Sequence, residues 1–296
     1  MSANYSSPKT SHVEVNGISL AYHDWPGELG PLVCLPHMTG HKGSFASLAK
    51  KLSPRYRIVA LDLRGRCESS KPADGYGFAY HARDIIALAD ALGFDAFSIV
   101  GHSFGATVGV YLASIQPHRV RSLVLLDGGA DPKAETLQSI RQAIRRLDNT
   151  WPSLDNYKEA QRAVPSYQPW TQALEEYLVE DVSTQSDGSV RSKSSARALE
   201  LDLDIHFFYS MCAHFSNLKC PVLFLRPQQS LPGSAGHMYT DGEAANIVRH
   251  IPNCVRANVQ GGNHFTMLIQ DNPPVLPFIG EFFDRILKEP VLEKSA

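Results

Sequence analysis

Cysteine is scarce in this chain of 296 residues: Cys34, Cys67, Cys212, Cys220 and Cys254 are scattered, and none forms a Cys-x-x-Cys pair. Such spacing supports neither a disulfide framework nor a zinc ribbon. No window approaches the ~18 consecutive apolar residues of a membrane-spanning helix. The polar stretch from Met1 to Ser11 lacks the basic-then-apolar order of a signal peptide. A surplus of one charge is missing as well, with 28 Lys and Arg against 30 Asp and Glu. Nucleic-acid binders usually concentrate basic residues on one face. These absences lead us to expect a reduced, soluble, cytoplasmic protein that works on a small molecule, not on nucleic acid or membrane; homodimerisation stays open. What is present is 43% hydrophobic and 20% charged residues, a composition for a folded protein with a large core.

The first 130 residues alternate short apolar runs with helical patterns. Strands are expected at Leu32–Leu35, Arg57–Leu63, Phe97–Val100 and Ser122–Leu126, with helices at Phe45–Leu52, Tyr80–Leu92 and Ala106–Ile115. Apolar strands between helices imply a doubly wound, mostly parallel sheet covered on both faces. Strand-like runs return at Val222–Leu225 and Val255–Val259, with helices at Asp241–His250 and Pro274–Lys288. Between them, residues 131–218 hold scattered aromatics on helical patterns and no clean apolar strand, and Asp187-Gly188 signals a turn. We read an α/β core of residues 1–130 and 219–296 with a helical insertion at 131–218. Arg141, Arg145 and Arg146 share helical spacing there and are expected on a solvated helix face.

The chemistry concentrates in Gly101-His102-Ser103-Phe104-Gly105, between a strand and a helix. A strand turning sharply into a helix strains its middle residue, needs small residues two before and two after it, and exposes a serine at the helix N-terminus. A serine hydroxyl needs a base to take its proton. His264, in Gly261-Gly262-Asn263-His264-Phe265, follows the strand ending at Val259 and can project from the same sheet edge.

With these segments the chain resembles the α/β-hydrolase family over nearly its whole length. Asp62-Leu63-Arg64-Gly65-Arg66-Cys67-Glu68-Ser69 is similar to the family's D-x-R-G-x-G-x-S loop, with Cys67 in place of a glycine. Val100–Gly105 is similar to its nucleophile elbow and Gly261–Phe265 to its histidine loop. The resemblance implies Ser103 as nucleophile, His264 as base, and an acid that usually follows the strand corresponding to Val222–Leu225. That loop, Arg226-Pro227-Gln228-Gln229-Ser230, holds no carboxylate. A subset of the family places the acid after the preceding strand, where Asp127 stands; Asp131, Asp241 and Glu243 are weaker candidates.

The resemblance also implies an oxyanion hole of two backbone N–H groups, from Phe104 and from Met38, with Thr39 as a second choice. The inserted segment resembles a family cap, whose Trp151, Trp170, Phe207 and Phe208 are candidates for the pocket wall together with His37. No cofactor and no metal are expected, since His37 and His41 lack further ligands at metal spacing. The leading expectation is a serine hydrolase of a carboxylic ester or lactone. Alternatives are hydrolysis of a carbon–carbon bond beside a ketone, cofactor-free oxygenation of a heteroaromatic substrate by a His–Asp dyad, and a non-catalytic binding protein.

Overall fold

A computed structural model describes residues 8–231 and 236–288. Asn16 and Gly17, both at positive φ, form the tight turn that pairs β1 (Ser11–Val15) with β2 (Ile18–Trp25) antiparallel. The chain continues through β3 (Leu29–Leu35), a 3-10 turn at Lys42–Phe45 leading into α1 (Ala46–Leu52), β4 (Tyr56–Leu61), α2 (Phe78–Ala91), β5 (Phe97–His102), α3 (Phe104–Ile115) and β6 (Val120–Leu126). Each expected strand and helix of this half is present, with ends shifted by a few residues.

Residues 131–218 then form α4 (Ala134–Arg145), β7 (Thr150–Trp151), α5 (Leu154–Arg162), α6 (Gln172–Glu180), β8 (Val182–Thr184), β9 (Val190–Ser192) and α7 (Ala196–Ile205). The segment is therefore not purely helical: β7, β9 and β8 make a small antiparallel sheet. Strands of two or three residues are too short to show an alternating pattern, which is why the sequence reads as helical there. The Asp187-Gly188 signal is the turn of the β8–β9 hairpin, where the Ser189 amide donates to Asp187 Oδ1 at 2.9 Å.

After this insertion come β10 (Val222–Pro227), α8 (Asp241–His250), β11 (Cys254–Val259) and α9 (Leu276–Lys288). Among the described residues eight strands share one sheet, ordered β1-β2-β4-β3-β5-β6-β10-β11 and parallel from β4 to β11. β5 and β10 are buried at every position, as strands covered on both faces must be. Successive residues feed opposite layers. Val33 and Leu35 pack with α2, α3 and α8, while Leu32 and Cys34 pack with α1 and α9. Each fully buried Leu or Phe in these layers contributes roughly 1.5–3 kcal/mol of transfer free energy.

The order β4-β3-β5 sets the position of the site. From β3 the chain crosses outward to β4 and then returns to β5 on the far side of β3. The carboxyl ends of β3 and β5 therefore flank a crevice, the place where open α/β sheets bind ligands.

Candidate active site

Ser103 stands between β5 and α3 with φ 52° and ψ −113°, a conformation that costs a non-glycine residue about 1–3 kcal/mol. The neighbours hold it there. Its amide donates to the Leu126 carbonyl at 2.9 Å, and its carbonyl accepts from the Ala106 amide at 3.0 Å. The turn is tight enough that a Cβ at Gly105 would strike the Leu35 carbonyl and one at Gly101 the backbone of Ala106. Glycine at these two positions is thus a steric requirement. Ser103 is 8% exposed, and its side chain borders a cavity of about 540 Å³ that also borders His264.

His102 pairs with Leu126 in the sheet register, so Asp127 leaves β6 beside Ser103. The Asp127 amide donates to the Leu225 carbonyl at 2.9 Å, and its backbone also turns to positive φ, 43°. That turn brings the carboxylate to His264: Nδ1–H donates to Asp127 Oδ2 at 2.7 Å, with both residues buried. The other carboxylates have different partners. Asp131 accepts from the Ser210 hydroxyl and the Met211 amide. Asp241 pairs with Arg256 at 2.8 Å. Glu243 closes the N-terminal capping box of α8 with Thr240.

Two residues that the sequence reading did not single out anchor the histidine loop. Asn263 Oδ1 accepts the amides of Phe265 and Thr266, and its Nδ2 donates to the Ser166 carbonyl in the insertion. His102 donates from Nε2 to the His264 carbonyl at 2.8 Å. Burial, reinforced by the nearby His264 and His37, pushes the His102 pKa well below its ordinary value. The signal for both was adjacency to the catalytic candidates, which does not by itself reveal a hydrogen bond.

After β3 the chain turns at Pro36–Gly40, where the Gly40 amide donates to the His37 carbonyl. Among the described residues the amides of Met38, Thr39 and Phe104 have no acceptor within the protein, which leaves them free for an external oxygen. Arg66 holds this loop: its Nε donates to the Met38 carbonyl at 3.2 Å, and its guanidinium lies 5.1 Å from the centre of the Phe104 ring. The same guanidinium pairs with Asp202 of α7, which also accepts from the Gly77 amide and His81.

The cavity wall includes His37, Trp151, Tyr157, Tyr167, Tyr177 and Phe265. His37 is tied to the Tyr177 hydroxyl at 3.0 Å. Three expected wall residues are elsewhere. Trp170 donates its indole N–H to Glu175 at 3.0 Å and stacks under Arg162. Phe207 is 58% exposed beyond the end of α7, and Phe208 beside it 86%. All three differ for one reason: an aromatic on a helical pattern does not declare which side of the insertion faces the sheet. Arg146 departs from the expected solvated face, since it borders the cavity while Arg141 pairs outward with Asp204.

His41, Asp62 and Cys67 bring potential metal-ligand atoms within 4.8 Å of one another, but their chemistry suits an internal cation. The buried Lys42 ammonium lies 3.2 Å from Asp62, 3.0 Å from Glu68 and 2.9 Å from Glu180 of α6. His41 uses both nitrogens, Nε2 to the Tyr177 carbonyl and Nδ1 from the Gly43 amide. Burial raises the Cys67 pKa, which opposes a thiolate ligand. The cluster ties the β3–α1 loop to the insertion.

A model of the alpha/beta hydrolase fold matches residues 30–209. The putative carbamate hydrolase RutD of Caulobacter sp. (strain K31) is 26% identical over 275 residues, 90% of this chain and 96% of that protein. The 2-heptyl-3-hydroxy-4-quinolone dioxygenase AqdC1 of Rhodococcus erythropolis is 33% identical over 124 residues, 40% of this chain and 45% of that one. Other curated relatives are matched over only part of their length, 32% and 53% in two of them. The crystal structure of E-2-(acetamidomethylene)succinate hydrolase superposes with a TM-score of 0.81 over 93% of this chain and 99% of its own, at 22% identity, which speaks to fold alone. With the family model matching well over half of its residues, and a strained Ser103 at the switch point of a parallel sheet, this chain belongs to the α/β hydrolase fold family.

Proposed function

We propose that the protein is a serine hydrolase that cleaves a carboxylic ester or lactone through an acyl-enzyme. The observation that carries this reading is the His264–Asp127 hydrogen bond of 2.7 Å at the cavity that Ser103 also borders. Asp127 fixes the imidazole tautomer so that Nε2 is the free base, and it stabilises the imidazolium that forms. Ser103 Oγ attacks the carbonyl carbon as its proton passes to His264. The negative oxygen of the tetrahedral intermediate is held by the amides of Phe104 and Met38. Collapse breaks the bond to the leaving oxygen, which takes the proton from His264. Water then attacks the acyl-serine, gives its proton to His264, and Ser103 recovers it as the acid departs.

The test is covalent labelling of the protein with a fluorophosphonate, together with turnover of a panel of p-nitrophenyl esters and lactones. Labelling and turnover are expected in the wild type and absent in Ser103→Ala, with kcat lower by roughly 10⁴–10⁶. Turnover by Ser103→Ala at a near wild-type rate would sink the acyl-enzyme reading.

A second reading, cofactor-free oxygenation, is favoured by the acid lying after β6 and by likeness to a protein named as a quinolone dioxygenase. It needs the His264–Asp127 dyad and not the Ser103 hydroxyl. Oxygen consumption with a hydroxyquinolone that persists in Ser103→Ala distinguishes it.

A further inference from the structure

Ser103 is shared by two cavities of very different size. One is the cavity of about 540 Å³ walled largely by the insertion. The other, about 20 Å³, is walled by Phe104, Ala130, His206 and Tyr239 and shares Met38, Ile140 and Met238 with the first. On this scale a single water occupies about 10–15 Å³, so the small chamber takes one or two non-hydrogen atoms. Its walls are predominantly apolar. The Tyr239 hydroxyl is already committed, donating to the Ala130 carbonyl at 3.0 Å. A methyl group suits this chamber better than a water, which needs two to four polar partners.

The chamber lies where it can sort substrates. A carbonyl carbon under attack by Ser103 Oγ, with its oxygen toward the Met38 and Phe104 amides, has two further substituents: the acyl group and the leaving group. The small chamber starts at Met38 and Phe104 and continues past them to Thr107, Ala130 and Tyr239, so beyond the oxyanion position it has room for one of these substituents. The leaving group must depart and be replaced by water, and a space of about 20 Å³ passes neither an alcohol nor a phenol. The acyl group stays bonded to Ser103 through both half-reactions and is the one that a small chamber can hold.

We infer that the enzyme is selective for one- and two-carbon acyl groups, formyl or acetyl, carried on a leaving group bulky enough to occupy the large cavity. This rests on the serine-hydrolase reading and narrows it. A lactone joins acyl chain and leaving oxygen in one ring and has no small acyl part, so open-chain short-acyl esters become the preferred substrates.

The experiment is kcat/KM for p-nitrophenyl acetate, propionate, butyrate and hexanoate, each corrected with Ser103→Ala as background. One unaccommodated methylene discriminates by about 10–200-fold, so acetate should exceed butyrate by about 100-fold or more. Pro132→Ala, and separately His206→Ala, at residues that wall the small chamber and not the large one, should each raise the butyrate-to-acetate ratio at least ~10-fold by enlarging the chamber. Rates that are flat or rise with chain length overturn the inference, as does wild-type discrimination that neither variant moves. Fluorophosphonate labelling of Ser103 separates the two levels. A labelled enzyme that prefers hexanoate refutes only the short-acyl selectivity, whereas an unlabelled enzyme inert to every ester refutes the serine-hydrolase reading with it.

Discussion

Two residues carry left-handed backbone at the ends of neighbouring parallel strands, Ser103 at φ 52° and Asp127 at φ 43°. In each, the strain turns a side chain out of the sheet's register toward the crevice, and adjacent backbone hydrogen bonds hold it. Asp127→Asn preserves size and backbone preference, since Asn tolerates the left-handed region, but it lets the amide select the wrong imidazole tautomer. The expected result is a kcat lower by roughly 10²–10⁴, with the melting temperature little changed. Asp131→Asn, Asp241→Asn and Glu243→Gln should each cost less than about tenfold, because their partners lie away from His264. Near-normal kinetics for Asp127→Asn, with collapse in one of the other three, would reassign the acid. Cys67 shows the converse case. It keeps the left-handed φ, 37°, of a glycine position, and its amide is held by the Ser194 hydroxyl at 2.9 Å, so the loop retains its shape without the glycine.

At the scale of elements, α7 is bound to the Met38 loop through charge. Burial opposes ionisation of Asp202, but His81 and Arg66 outweigh it and hold its carboxyl below the usual range. Arg66 in turn reaches the Met38 carbonyl and covers the Phe104 ring. Asp202→Asn leaves Arg66 buried without its counter-charge, a change that typically costs 3–5 kcal/mol. At about 2–4 °C per kcal/mol for a domain of this order, the melting temperature should fall by roughly 6–20 °C. Below that temperature, loosening of the Met38 loop should lower kcat more than it raises KM. A melting temperature within about 2 °C of wild type would show that Asp202 is not the keystone of this contact.

Across the whole molecule, buried histidines set the response to acid. Burial lowers the pKa of His23, His37 and His102, and that of His206 to about 4. In the unfolded chain these groups titrate near 6.5. Between the two values the unfolded state binds more protons than the native one, so stability rises with pH. Their contribution is complete above about pH 6.5 and is lost as the pH falls toward about 4, the value for His206. Glu68, held at about 2 by the opposing charge of Lys42 against its own burial, adds a further loss only below the ordinary carboxylate range. Thermal melts from pH 8 to pH 4.5 should therefore be flat at first and then decline from about pH 6.5. A constant melting temperature down to pH 5 would contradict this account.

The sequence by itself determined what depends on neighbours along the chain. Apolar runs such as Phe97–Val100 and Leu123–Leu126 announce buried parallel strands, and Gly101-x-Ser103-x-Gly105 announces the elbow, because only small residues fit where the backbone closes on itself. The absence of a carboxylate after Leu225 pointed to Asp127 only through the resemblance to the family, a subset of which places its acid after the preceding strand. What only the tertiary structure decided depends on contacts between distant segments. These are the partition of the aromatics of residues 131–218 into cavity wall, surface and stacked pair; the placing of Arg146 at the cavity; and the Arg66–Asp202 link across 136 residues of chain. Helical periodicity states that a face is apolar, but the surface that covers it is set by how the insertion packs on the sheet. The volume left beside Ser103 is a property of that packing alone.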